Sequence, residues 1–261
     1  YMTMQRPSSI LITGASSGIG EALAYRYATS GVFLALSGRD ETRLDRVAGR
    51  CRNLGALVER KALDVTDQPA MEAWIQSLDG RHPLELVFAN AGVSADTSGL
   101  PETADRAQRI LDINIRGVIN TVLPALPGMV ERKTGQIALM SSLAGFRGLP
   151  SAPAYSASKA WVRSYAEGLR GRYAKEGISI NVICPGFVRS RITDRNIYRM
   201  PFFMDAPKAA RIIARGLSAN KPRVAFPFPM HAMAWSPCVP WRGGHARPRM
   251  QWHGGHACPS P

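Results

Sequence analysis

The sequence predicts a doubly wound α/β domain: a parallel sheet of about seven strands with helices on both faces. Three observations predict it. Short apolar runs alternate with segments of helical periodicity from residue 9 to residue 226. Most of these runs are continuously apolar rather than apolar at every second position, as strands covered on both faces require. A glycine cluster, TGASSGIG at 13–20, stands where the first run meets the first helical segment. Strand–helix repetition of this length implies parallel strands joined by right-handed crossovers.

The elements follow in order. SILIT at 9–13 reads as the first strand and 18–30 as its helix. VFLALS at 32–37 leads to a helix over 40–54, with Asp40 as N-cap before ETRLDRV. A third strand at 57–62 precedes a helix over 68–79, and LELVFA at 84–89 precedes a long one over 103–131. GQIALMS at 135–141 leads to a helix over 155–176, and ISINVI at 178–183 to one over 206–219. The last strand is 223–226. No linker interrupts the pattern, so residues 1–221 read as one domain that includes the segment 189–207.

Residues 222–261 read as that last strand followed by an irregular tail. The stretch holds eight Pro, four of the five His, three of the five Trp and no acid. It carries a near-repeat, WRGGHARP at 241–248 and WHGGHACP at 252–259. Pro- and Gly-rich chain continues neither a helix nor a central strand. Cys and His together invite a metal reading, but their spacing fits no ligand pattern, so no metal is expected. The loss of acids suggests a shifted reading frame relative to a longer ancestral C-terminus.

Composition narrows the function. No apolar run reaches the roughly 18 residues of a membrane span. The strand-like run SSILIT begins as early as Ser8, so no signal peptide is expected. The four Cys, at 51, 184, 238 and 258, match no metal motif and read as reduced thiols, so a cytoplasmic location is expected. The formal charge of +14 raises nucleic acid as a partner. The basic residues are spread through helical segments rather than collected in a tract, so no nucleic-acid partner is expected. A basic surface also attracts an anionic cofactor.

The glycine cluster is a phosphate cradle by position. Gly14, Gly18 and Gly20 supply a sharp turn, a close backbone approach and helix–sheet contact, and Ser16, Ser17 and Ile19 fill the loop between them. The helix that follows offers free N–H groups to phosphates. This is the Rossmann arrangement for a dinucleotide. An NAD-binding domain usually carries an acid at the tip of the second strand; here Gly38 and Arg39 stand there. Arg39 can pair with a 2′-phosphate as a fork. Asp40 competes as a ribose partner but is better placed as the helix cap. NADP is therefore expected, with NAD the lesser possibility.

From Ser8 to about residue 226 the chain resembles the short-chain dehydrogenase/reductase family. The resemblance rests on TGASSGIG, Asp64-Val65 after the third strand, Asn90-Ala91-Gly92 after the fourth and Asn114 in NIRG. It continues through Ser141-Ser142, Tyr155-x-x-x-Lys159 and Pro185-Gly186. It implies that Asp64 and Val65 flank the adenine and that Asn90, Ala91 and Gly92 line the cofactor floor. A local reading of Asn90 and Gly92 is turn chemistry. Pro185 and Gly186 follow the sixth strand, and Val188 and Ser190 would meet the nicotinamide carboxamide; the family more often has Thr where Ser190 stands.

The chemistry gives these residues roles. Hydride transfer to a carbonyl leaves an oxygen that needs a proton. A phenol can supply it, but its ordinary pKa is near 10 and a nearby cation is expected to lower it. Tyr155 and Lys159 are one helical turn apart on one face. The small Ser156, Ala157 and Ser158 between them are expected to leave room for ligands. By the resemblance Tyr155 is the acid/base, Lys159 tunes it and holds the nicotinamide ribose, and Ser142 stabilises the substrate oxygen. Asn114 would anchor a water in a proton relay, or be a satisfied helix-interior amide.

The segment 189–207 corresponds to the family's substrate lid, and its apolar residues suggest a hydrophobic carbonyl or alcohol substrate. The helices 103–131 and 155–176 suggest a homodimer or homotetramer. A catalytically idle NADP-binding regulator and a nucleic-acid-binding protein are the competing readings.

Overall fold

Seven strands and their helices fall where the apolar runs place them in the computed structural model, which describes residues 6–94, 102–189 and 203–227. They are β1 Ser9–Thr13, α1 Gly18–Tyr27, β2 Phe33–Gly38, α2 Glu41–Asn53, β3 Leu57–Ala62, α3 Gln68–Arg81 and β4 Leu86–Ala89. Then come α4 Ala104–Leu111, α5 Gly117–Val122, α6 Leu126–Glu131, β5 Gly135–Met140, α7 Pro153–Tyr173, β6 Ile178–Pro185, α8 Ala206–Ser218 and β7 Arg223–Phe226. Ser190, most of the expected lid, and residues 228–261 with Cys238 and Cys258 lie outside the described residues.

The sheet order is β3-β2-β1-β4-β5-β6-β7, and every pairing is parallel. The order reverses between β1 and β4, so a crevice opens at their carboxyl ends, where such sheets bind ligands. Alternate residues of each strand feed two cores. Ile10, Ile12, Leu34 and Leu36 pack under α1, α2 and α8. Leu11, Phe33, Ala35 and Val87 pack under α3, α5 and α7 on the other face. Burial on both faces explains why these strands read as unbroken apolar runs. β3 is the exception. It is an edge strand carrying Glu59, Arg60 and Lys61, and charge there blunts edge-to-edge pairing.

Helix boundaries differ from expectation for local reasons. α1 ends at Tyr27, where Ala28 takes extended backbone, and Gly31, at φ +81°, then turns the chain toward β2. The expected single helix over 103–131 is broken into α4, a π-helical turn at Asp112–Arg116, α5, a 3-10 turn at Leu123–Ala125 and α6. Pro124 and Pro127 cannot donate to the preceding turn, so each begins a new segment. α7 begins at Pro153, two residues earlier than expected, which places Tyr155 within its first turn.

Candidate active site

The β1–α1 turn is built to receive an anion. Gly14 and Gly18 adopt left-handed backbone, at φ +67° and +61°. A Cβ on Gly20 would collide with the Gly14 carbonyl. The N-cap, Ser17, makes no side-chain capping hydrogen bond, so the first-turn N–H groups of α1 remain available to a ligand. The turn is held from the neighbouring strand. Asn90 Nδ2 donates to the carbonyls of Thr13 and Gly14 at 2.9 and 3.3 Å. Thr13 Oγ1 accepts from the N–H groups of Asn90 and Ala91 at 3.1 and 3.2 Å and donates to the Phe88 carbonyl at 3.2 Å. Asn90 is therefore a long-range brace as well as a turn residue. Thr13 belongs to the site although sequence reasoning did not assign it a role; its only signal was its place at the head of the glycine motif.

At the tip of β2, Asp40 caps α2. It accepts from the Arg43 N–H at 2.9 Å and pairs with the Arg43 guanidinium at 2.7 Å. Arg39 is half-exposed and lies 3.8 Å from Asp64, and both line a cavity of about 330 Å³ that α4 closes with Asp105, Gln108 and Arg109. Asp64 accepts from the backbone N–H and hydroxyl of Thr66, which fixes the turn after β3. Val65 is turned into the core, where a Cβ on Gly117 would collide with it, so Asp64 is the exposed member of the pair.

Ser142, Tyr155 and Lys159 meet at the ends of β5 and β6. The Ser142 hydroxyl donates to the Pro185 carbonyl at 3.4 Å, accepts from the Ala144 N–H at 3.1 Å and stands beside Tyr155. Ser141 points the other way and donates to the Lys159 carbonyl at 2.6 Å. Lys159 is buried, with Nζ 5.8 Å from the Tyr155 ring centre and donating to the Met140 carbonyl at 3.0 Å. A Cβ on Gly92 would lie 3.1 Å from Asn114 Oδ1 and 3.3 Å from Lys159 Nζ, so only glycine leaves that floor open. At the end of β6, Gly186 N–H donates to Phe226 at 2.7 Å and Val188 bridges to Met204.

Asn114 sits at the centre of the π-helical turn, fully buried. Its Oδ1 accepts from Val93 N–H at 2.9 Å, and its Nδ2 donates to the Val93 carbonyl and to Ser158 Oγ, both at 3.0 Å. Both amide protons are used, so a relay water would have to rest on an oxygen of this residue.

Two expectations need correction. Of the small residues between Tyr155 and Lys159, Ser156 and Ser158 are buried and do not clear space for ligands, whereas Ala157 is exposed. A helix turns about 100° per residue, so the intervening side chains face elsewhere. Ser156 donates to the Ala152 carbonyl at 2.9 Å and accepts from Leu149 N–H at 3.0 Å, while Ser158 donates to the Tyr155 carbonyl at 2.7 Å. They are small because they are packed. The second correction concerns charge. Burial pushes the Tyr155 pKa above its ordinary value, and the Ser142 hydrogen bond opposes that only in part. Burial also brings Lys159 down to about 8. Lys159 spends its hydrogen bond on Met140, and withdrawal from water governs both groups.

Among the described residues no cluster of three His, Cys, Asp or Glu could hold a metal, and no helix is long and apolar enough to cross a membrane. The short chain dehydrogenase family model matches residues 8–199. An uncharacterized oxidoreductase of Myxococcus xanthus is 39% identical over 89% of each chain. The human dehydrogenase/reductase SDR family member 7 is 35% identical over 72% of this chain and 57% of its own length. Among solved structures, a short-chain dehydrogenase from Sphingobium yanoikuyae in complex with NADPH superposes with a TM-score of 0.78 at 28% identity, over 84% of this chain and 88% of that one. A short chain dehydrogenase/reductase from Burkholderia phymatum in complex with NAD gives 0.79 at 25% identity, over 87% and 91%. The chain belongs to the short-chain dehydrogenase family, oxidoreductases on a fold that binds a nicotinamide cofactor.

Proposed function

We propose that this chain interconverts a hydrophobic carbonyl compound and its secondary alcohol, with NADP(H) as the preferred cofactor and Tyr155 as general acid/base. One observation carries the reading: Ser142 stands beside Tyr155 at the carboxyl edge of the sheet, with buried Lys159 on the same helix and its Nζ 5.8 Å from the Tyr155 ring centre.

A bound nicotinamide supplies the hydride in reduction and takes it back in oxidation. The chain's own residues handle the proton. The Tyr155 phenol, protonated at neutral pH as an ordinary tyrosine is, can donate Oη–H to the nascent alkoxide oxygen. Ser142 Oγ, held by the Ala144 N–H, offers a hydrogen bond to that same oxygen and stabilises its developing charge. Lys159, buried with Nζ 5.8 Å from the Tyr155 ring centre, stands where it would hold the nicotinamide ribose. Asn114 fixes the chain at Val93, beside the Gly92 floor.

NADP is favoured by Arg39 at the β2 tip and by the engagement of Asp40 in capping α2. The dinucleotide side of the site is assigned to Gly14, Ser16, Ser17, Gly18, Ile19, Gly20, Asp64, Val65, Asn90, Ala91 and Gly92, and the nicotinamide side to Pro185, Gly186, Val188 and Ser190. A homo-oligomer pairing α4–α7 faces is favoured by exposed Leu123 and by the stacked rings of Trp161 and Tyr165, 4.6 Å apart. A panel of ketones and aldehydes monitored at the NADPH absorbance tests the reading. Turnover of at least one compound is expected; NADPH binding with none would favour the idle regulator.

A further inference from the structure

We propose that Glu102 is a positioning residue for Tyr155: its carboxylate caps the catalytic helix from another part of the chain. This rests on the reading of Tyr155 as acid/base.

Helix α7 has no N-terminal cap of its own. Its N-cap residue is Ala152, whose side chain accepts nothing, and Pro153 has no N–H to offer. The first unpaired donor of the helix is therefore the N–H of Ala154, adjacent to Tyr155. Ser156 N–H, two residues on, already bonds the Ala152 carbonyl at 3.0 Å. Both carboxylate oxygens of Glu102 accept from Ala154 N–H at 3.2 Å, across a separation of 52 residues. The negative charge also faces the positive end of the helix.

The next residue does the same for a different helix. Thr103 accepts from Arg106 N–H at 3.4 Å and caps α4. Adjacent side chains thus fix the starts of two neighbouring helices. α4 runs into the π-helical turn of Asn114, which ties to α7 again through Ser158 at 3.0 Å. Tyr155 lies between these two ties. Lys159 lies beyond the second, and the glycine turn stands on α1 and β4. Release of Glu102 therefore loosens the turn that aims the phenol and leaves the cofactor cradle intact. The signature is a fall in kcat without a change in cofactor affinity.

Three variants separate reach from charge. Glu102→Ala loses both, Glu102→Asp keeps the charge but is one methylene short, and Glu102→Gln keeps an oxygen at full reach. Amide exchange at Ala154 is read by mass spectrometry, NADPH affinity by fluorescence, and turnover on the best substrate among cyclohexanone, acetophenone, benzaldehyde and hexanal. Glu102→Ala and Glu102→Asp are expected to speed exchange at Ala154 about tenfold. Both should lower kcat by about tenfold or more, the scale of a misplaced catalytic group, with NADPH affinity within about twofold of wild type. Glu102→Gln should recover most of both losses. Unchanged exchange in Glu102→Ala overturns the proposal with no turnover assay. So does a Gln variant as impaired as Ala, or ordinary turnover in Glu102→Ala while Tyr155→Phe is inactive. Ordinary turnover in Tyr155→Phe removes the functional reading as well.

Discussion

Ser141 Oγ donates to the Lys159 carbonyl at 2.6 Å, pinning the end of β5 to the helix that carries Tyr155. Its neighbour Ser142 faces the opposite way, toward Tyr155. Adjacent serines therefore have opposite tasks. Ser141→Ala is expected to cost about 1 kcal/mol of stability, the usual worth of one hydrogen bond, with a modest loss of turnover. Ser142→Ala loses the bonds to Ala144 and Pro185, so it should cost stability on the same order but cut kcat by about a hundredfold, as loss of an oxyanion donor does. Melting curves and initial rates on both proteins check this.

Lys159 is buried, and burial lowers its pKa to about 8. An unfolded chain holds that proton up to a pKa near 10.4. Between the two values the unfolded state binds more protons, so stability rises with pH across that window. Below pH 8 the full penalty of burying the ammonium is present. Lys159→Met should therefore stabilise the ligand-free protein at pH 7 by on the order of 1–3 kcal/mol while abolishing turnover. The gain should shrink as pH rises from 8 toward 10. Urea titrations at a series of pH values measure it; a Met variant less stable at pH 7 contradicts the assignment.

The 2′-phosphate reading rests on Arg39. Arg39→Asp should move the ratio of kcat/KM for NADPH over NADH toward NADH by about tenfold to a hundredfold, the scale of a lost charge-assisted pair. Steady-state kinetics with both cofactors check this. An unchanged ratio assigns the preference elsewhere.

Much of the fold was legible because strands covered on both faces are mostly apolar; the buried Gln136 of β5 and Asn181 of β6 interrupt their runs and bond each other at 2.8 Å. The breaks near Pro124 and Pro127 were in plain view as prolines, yet the apolar spacing on either side read as one helix. The site was legible where chemistry needs a fixed spacing, as at Tyr155 and Lys159. Spacing says less about Ser156 and Ser158, whose side chains are buried and face away from the Tyr155–Lys159 side of the helix. The protonation of Lys159 depends on burial by distant strands, and the Glu102–Ala154 contact spans 52 residues. Neither leaves a periodic trace. Thr13 and Asn90 act across 77 residues, so only their places in the two motifs hinted at the brace.

The central claim is that the Tyr155 phenol delivers the proton. The most direct measurement sets kcat of Tyr155→Phe beside its NADPH dissociation constant. The account predicts a fall in kcat of at least about a hundredfold, the scale of general acid catalysis, with NADPH affinity within about threefold of wild type. Ordinary turnover in the Phe variant would contradict it.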